Sequence, residues 1–384
     1  MSIVEIRKCE EYDILKISEI ISPYIAANFN NISSESNVFI KLNLVGPFEK
    51  EKGITTHPVI LEAVIKEVKK YTSNIIVGDN PAVKDQIPVM KKTGIYDVIE
   101  RENVKVLNPK LLKVITNPNP KIYSQFEVTK EMVDCDILIN LPKLKTHTLA
   151  YMTCAEKNFF GLIYGLNKSG WHVKASTPLE FAEAINDLYG ALLNELSGKK
   201  ILNICDGIIG LEGEGPSSSG IPKKANVILM SNDAISLDYI ACMLVKMDVE
   251  KLFITNIGGE RGLGCKDINQ IELVGNTFDD FKDLQFLPPK DSISHIGLRI
   301  LKIKPLRNLL LEHPKIDHTK CIKCGECVKI CPPKTMKITT DKNGVRSFPH
   351  LNKTSCIRCW CCAEVCPKDA IYKSKRPVLG KILF

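Results

Sequence analysis

The chain has 384 residues, 44% hydrophobic and 25% charged, enough apolar side chains to bury a large core and too ordered a composition for a disordered chain. No apolar run approaches the ~20 residues of a membrane-spanning helix, and the N-terminal MSIVEIRKCEEYD has no apolar signal core, so a cytoplasmic chain with no membrane span is expected. The formal charge of +8 is lopsided: residues 313–384 hold 15 Lys and Arg against 5 Asp and Glu, while residues 1–312 are close to neutral.

Residues 1–275 alternate short β-rich runs with longer helical stretches, the pattern of an α/β domain with a mostly parallel sheet. In chain order, strands are predicted at Val38–Leu42, Asn74–Val77, Asp136–Ile139, Lys200–Ile204 and Ala225–Met230. Between them Pro58–Tyr71 and Pro178–Leu196 carry apolar residues at three- and four-residue spacing, with proline early in each predicted helix. Residues 276–312 read as a connecting segment, in which HIGLRILKIKPLRNLLLE would form a helix interrupted at Pro305 and packed between two domains. Residues 313–384 read as a second, small α+β domain.

That last reading rests on cysteine spacing. Nine of the 15 cysteines lie between Cys321 and Cys366, which is a metal-site distribution. Two runs, beginning at Cys321 and Cys356, are 35 residues apart and match C-x2-C-x2-C-x3-C-P. Three closely spaced thiolates hold one 4Fe–4S cube and the fourth reaches the other cluster. The expected ligands are therefore Cys321, Cys324, Cys327 and Cys366 for one cluster, and Cys356, Cys359, Cys362 and Cys331 for the second. Cys361 is left over as a bystander thiol, and the module resembles the bacterial two-cluster ferredoxins. A zinc ribbon also uses paired C-x2-C, but it needs no third cysteine at this spacing. The basic charge around the clusters fits their negative charge, so no nucleic-acid partner is expected. A redox partner protein is expected instead: a ferredoxin, a flavodoxin or a reductase.

The ends of the predicted strands collect polar residues. VFIKLNLVGP places Lys41 and Asn43 there, NIIVGDNPAV places Asp79 and Asn80, and ILINLPKLKTHT places Asn140, Lys143, Lys145 and His147. Lys157 and Asn158 follow in AEKNFFG, and Asp206, Glu212 and Glu214 in ILNICDGIIGLEGEGP. In parallel sheets such ends line one crevice, where ligands bind. Taken singly, a lysine is usually a solvated face and a histidine usually structural. Three lysines near one strand end point to an anionic small molecule. Lys143, Lys145 and Lys157 would hold it, His147 would supply a proton, and Asp206 or Glu212 would bind a metal or act as base. GLIYGLNKSG lacks the spacing of a phosphate-binding loop, and no GxGxxG follows the first predicted strand.

These segments resemble a family of iron–sulfur proteins described as domain of unknown function 362. The resemblance is carried in order by IKLNLVGP, THP (Thr56–Pro58), VGDNP, INLPKLKTH, EKNFFGL, CDGIIGLEGEGP and DAISLDYIA (Asp233–Ala241). It implies an architecture and a site more than a substrate, and a C-terminal two-cluster module is common in the family. The expected function is an iron–sulfur oxidoreductase whose two 4Fe–4S clusters relay low-potential electrons to an anion in the α/β crevice. The alternative is a ferredoxin-like electron carrier or redox-sensing scaffold with no substrate chemistry of its own.

Overall fold

The computed structural model describes residues 2–81, 85–164, 170–171, 174–175, 177–289 and 304–383. Residues 165–169, inside GLIYGLNKSG, and 290–303, inside the expected connection, lie outside the described residues.

The chain begins with β1 (Ser2–Lys8) and α1 (Ile14–Phe29), whose first turn is capped by the Asp13 side chain. Then come β2 (Val38–Lys41), α2 (Pro58–Val68), β3 (Ile75–Gly78), α3 (Gln86–Thr93), α4 (Ile95–Arg101) and β4 (Lys105–Val106). A separate hairpin of β5 (Leu112–Thr116) and β6 (Gln125–Thr129) precedes β7 (Ile137–Asn140), β8 (Lys143–His147), β9 (Tyr151–Thr153) and the one-turn α5 (Ala155–Asn158). After these, α6 (Pro178–Glu195), β10 (Lys200–Gly213), β11 (Gly220–Ser231), α7 (Ala234–Leu244), α8 (Phe253–Glu260) and β12 (Ile271–Gly275) complete the large region.

Its main sheet runs β12-β1-β11-β10-β7-β2-β3-β4, with β8 and β9 joined to the side of β10. Pairing is parallel from β10 through β4 and between β1 and β12, and antiparallel where β11 meets β1 and β10. The fold is thus α/β, with a large, mostly parallel sheet. Strands β2 and β7 are buried along their whole length, as continuous apolar runs require when both faces are covered. On one face α1 and α2 bring Ile17, Ile21, Leu61 and Val64 against Ile40 and Ile139. On the other, α6 and α7 bring Phe181, Leu188, Leu237 and Ile240 against Phe39 and Leu138. Helix α6 starts where Thr177 and Glu180 form a capping box ahead of Pro178, and His57 caps α2 just before Pro58.

Strand β10 is much longer than the predicted Lys200–Ile204. Its first half pairs with β7; past a register shift between Gly207 and Ile209 it continues along β11, and it meets β8 at Asp206 and Leu211. This offset carries β8 beyond the end of β7 and gives the crevice its floor.

The C-terminal region contains α9 (Lys304–Leu310), with Pro305 in its first turn, then β13 (Pro314–Ile316), α10 (Glu326–Ile330), β14 (Met336–Lys337) and β15 (His350–Leu351). It ends with α11 (Cys361–Glu364), β16 (Ile371–Lys373) and α12 (Val378–Leu383). Two small antiparallel pairs, β13–β16 and β14–β15, flank a core built from cysteines with Ile330, Met336 and Ile371. This small module packs on the large region: Ser219 Oγ donates to Asp369 Oδ1 at 2.7 Å, and Lys373 pairs with Glu214 at 2.5 Å.

Candidate functional site

The two cysteine runs bend alike. Lys323 (φ 56°) and Gly325 (φ 84°) in the first have counterparts 35 residues on in Arg358 (φ 63°) and Trp360 (φ 62°). Lys334 (φ 52°) likewise matches Asp369 (φ 49°). Left-handed residues in and just after each run make turns of the kind that form a nest of N–H groups suited to an anionic group. Five of the six are not glycine, and each such residue costs on the order of 1 kcal/mol. The turns are therefore held against local preference. The fourth cysteine of each run accepts a backbone N–H four residues later: Cys331 Sγ from Thr335 at 3.3 Å and Cys366 Sγ from Ala370 at 3.2 Å.

Burial pushes the Cys327 thiol up to about 12, with Cys324, Cys366 and Cys321 as the next causes. Cys362 is raised by burial and then by Cys359, Cys356, Cys327 and Cys331. The four of the first set also line one small cavity. Thiols crowded in this way become favourable as thiolates only beside a cation, so the donor chemistry fits an iron–sulfur cluster. Among the described residues no three His, Cys, Asp or Glu converge on a single metal ion. A cubane, taking one thiolate per iron, asks for a wider set.

The crevice is built on a chain of amides at the strand ends. Lys145 Nζ donates to Asn43 Oδ1 (2.6 Å), Asn43 Nδ2 to Asn158 Oδ1 (2.7 Å), and Asn158 Nδ2 to Asn140 Oδ1 (2.7 Å). Asn140 Nδ2 then donates to Asn203 Oδ1 at 2.9 Å, and Asn203 Nδ2 to Ser231 O at 3.0 Å. Each link fixes which way the next amide points. Beside it Lys41 Nζ pairs with Asp79 Oδ1 at 2.7 Å, both buried. Gly161 must lack a Cβ here, since one would come within 2.3 Å of both partners.

The predicted site residues divide into two groups. Lys143 and Asp206 are committed to each other at 2.7 Å, and Tyr12 Oη donates to Asp206 Oδ1 at 2.8 Å. The His57 backbone N–H donates to Asp206 Oδ2, and the His57 ring stacks on Tyr12 with centroids 3.6 Å apart. Burial pushes His57 down to about 4, so it stays neutral. Glu212 accepts from Leu287 N at 2.9 Å and lines no part of the crevice pocket. These three site residues hold the floor together.

Lys145, His147 and Lys157 instead line one cavity of about 120 Å3, with Asn43 and Asn158. Lys145 spends two donors on Asn43 Oδ1 and Ile54 O and keeps a third. Burial, then repulsion from Lys143 and Lys157, pushes it down to about 7. Lys157 has no hydrogen-bond or ion-pair partner among the described residues; its Nζ lies 4.9 Å from the Phe160 ring centre and 5.4 Å from that of Phe181. Burial lowers it too, with Glu364 and Cys361 opposing. His147 Nδ1 accepts from Leu149 N and Ala150 N, which places the ring proton on Nε2. The remaining wall comes from the small module: Cys361 and Glu364 of α11, with Glu364 Oε1 3.9 Å from His147 Nε2. Sequence reasoning missed Glu364 and took Cys361 for a bystander, because nothing local marks either as facing a strand end some 200 residues away.

A 4Fe-4S dicluster domain matches residues 320–370, so the module binds 4Fe–4S iron–sulfur and has an electron-transfer role. A thylakoid-associated protein of Synechocystis is 27% identical over 220 residues, 57% of this chain and 66% of that protein. Among solved structures, a Thermotoga maritima protein aligns with a TM-score of 0.41 and 12% identity, covering 66% of this chain and 60% of that one. The lactate racemase apoprotein of Thermoanaerobacterium thermosaccharolyticum aligns with a TM-score of 0.38 and 16% identity, covering 64% and 57%. The chain thus spans 66%, 60% and 57% of the length of these proteins, less than two thirds of each. The model for the domain of unknown function DUF362 matches residues 38–243, more than half of the sequence, and the chain belongs to that family.

Proposed function

We propose that the protein is an iron–sulfur oxidoreductase that acts on a small anion held in the crevice beneath its ferredoxin-type module. Two 4Fe–4S clusters would be held by Cys321, Cys324, Cys327 and Cys366, and by Cys356, Cys359, Cys362 and Cys331. Such clusters supply one-electron transfers at low potential. The supporting observation is that α11 carries Cys362 and also, through Cys361 and Glu364, closes the pocket lined by Lys145 and Lys157.

In this reading Lys145 and Lys157 bind and orient the anion, and His147 donates through its Nε2–H to an oxygen of the ligand. Phe160 and Val365 exclude water from one side. Lys143 and Asp206 keep β8 in place and neither touches the ligand, so a base or metal role for Asp206 or Glu212 is not part of the proposal. Electrons would come from a soluble redox protein in the cytoplasm. Among the described residues no helix is long and apolar enough to cross a membrane.

The test is complementation of a deletion strain with a Lys145→Ala, Lys157→Ala double variant, set beside Lys69→Ala, Lys70→Ala on the protein surface. The crevice variant should keep its iron and sulfide and lose function, while the surface variant works. Equal function in both would count for a carrier or scaffold and against substrate chemistry in the crevice.

A further inference from the structure

We infer that the loop of residues 321–325 is the face through which electrons enter, and that the partner docking there is an acidic soluble redox protein. The inference rests on the electron-transfer part of the reading above and adds where the donor binds and what its surface carries.

The internal repeat allows a like-for-like comparison of the two cysteine loops, 35 residues apart. In the second, Arg358 is 6% exposed and donates to Asn308 Oδ1 of α9 at 2.7 Å and to Lys353 O at 2.9 Å. Cys356 beside it is buried as well. In the first, the matching Lys323 is half-buried, Ile322 is 56% exposed, and Cys321 and Cys324 are both half-buried. The second loop is sealed by α9, whereas the first reaches the surface. A donor protein can come close only at the open one.

Charge names the partner. Lys320 and Arg346 are exposed here, and Arg346 Nη1 donates to Cys324 O at 3.3 Å, which fixes the guanidinium beside the loop. Lys342 is exposed in the same turn as Arg346, and the exposed Lys368 lines one small cavity with Ile322 and Cys324. The nearby carboxylates are already engaged. Glu326 pairs with Lys329 at 2.9 Å, Asp341 accepts from Asn343 N and Val345 N, and Asp317 accepts from Thr319. From residue 313 onward basic groups exceed acidic ones by ten. Two bound clusters with their thiolates would bring about −2 each when oxidised and about −3 each when reduced, so the module stays positive in both states. Ile322 and Val345, the latter next to Arg346, add exposed apolar area. A basic rim with apolar side chains among it is complementary to a donor with an acidic rim around its redox group.

The probe is a low-potential flavodoxin with an acidic surface, used against the anaerobically prepared, cluster-loaded chain. Calorimetry with oxidised flavodoxin reads binding without electron transfer. Stopped flow with the anionic flavin hydroquinone reads transfer: one electron leaves it, giving the neutral semiquinone, and one enters a cluster. Affinity and rate should each fall about tenfold or more between about 20 mM and about 500 mM salt. Lys342→Glu, Arg346→Glu, checked for unchanged iron and sulfide, should weaken both about tenfold at low salt. Lys110→Glu, Lys121→Glu on the large region should leave both unchanged. Should the first pair lose iron, Lys320→Glu carries the test with a several-fold loss. Salt-insensitive binding, no binding to the wild type, or an equal loss from the control pair overturns the docking face. So does binding to phosphatidylglycerol vesicles that Lys342→Glu, Arg346→Glu abolishes while flavodoxin still binds, which assigns the face to a membrane surface. No crevice ligand enters the assay, so failure of the anion reading would leave this result standing.

Discussion

Lys145 is buried to 1% exposure with no paired carboxylate among the described residues, and its ammonium is pushed from 10.5 to about 7. That shift corresponds to about 5 kcal/mol of destabilisation while the lysine is charged. Because the folded-state value lies below the unfolded one, the penalty is complete below about pH 7 and fades as pH rises toward 10.5. Lys145→Met should therefore stabilise the fold at neutral pH, though stranding the Ile54 carbonyl costs back about 1–3 kcal/mol. Thermal unfolding should show a gain of a few degrees at about pH 6 that shrinks by about pH 9, together with lost anion binding. A lower melting temperature at every pH would mean that Lys145 is a structural residue. In the wild type, anion affinity should fall as pH rises past neutrality. The groups facing Lys145 in that titration are Lys143, Lys157, Glu364 and Asp79. At this scale the sequence was informative about residue types and less about partners. The strand spacing puts Lys143 and Lys145 on one side, and their mutual repulsion agrees with that. It could not tell that Asp206, 63 residues further on, takes Lys143 out of the site.

Among the elements, those whose signals are local were the most legible. Strands β2, β3 and β7 and helices α2 and α6 begin within a residue of their predicted starts, because apolar runs and proline-led caps are written in neighbouring residues. β10 was cut short at Ile204 because the glycines and acids that follow carry no local strand signal, and only long-range pairing with β11 and β8 makes them a strand. The first strand and helix, β1 and α1, went unread for a similar reason: β1 carries charges and gains its place from β11 and β12. Helix α11 shows the same limit. Its cysteine spacing is local, yet its outward face was invisible until the module met the crevice. One consequence can be checked by iron and sulfide analysis. The wild-type chain should carry about eight of each, Cys324→Ser should lose most of one cluster, and Cys361→Ser should keep both. Because Cys361 lines the pocket, Cys361→Ser should still weaken anion binding. Loss of a cluster from Cys361→Ser would show that the ligand register is wrong.

For the whole molecule, the arrangement places a charge-paired, amide-locked floor in the large region and an iron–sulfur module above it. The sequence indicated both parts, since one has α/β periodicity and the other a strict cysteine repeat. Their meeting was not legible, because it depends on contacts such as Ser219 with Asp369, 150 residues apart. The central claim is that the anion sits beside the iron–sulfur centre of the module. Electron–nuclear double resonance on the reduced protein with deuterated propionate tests this most directly. The account predicts deuterium couplings to the reduced cluster that vanish in Lys157→Gln. Fully reduced clusters with bound propionate and no deuterium coupling would contradict it.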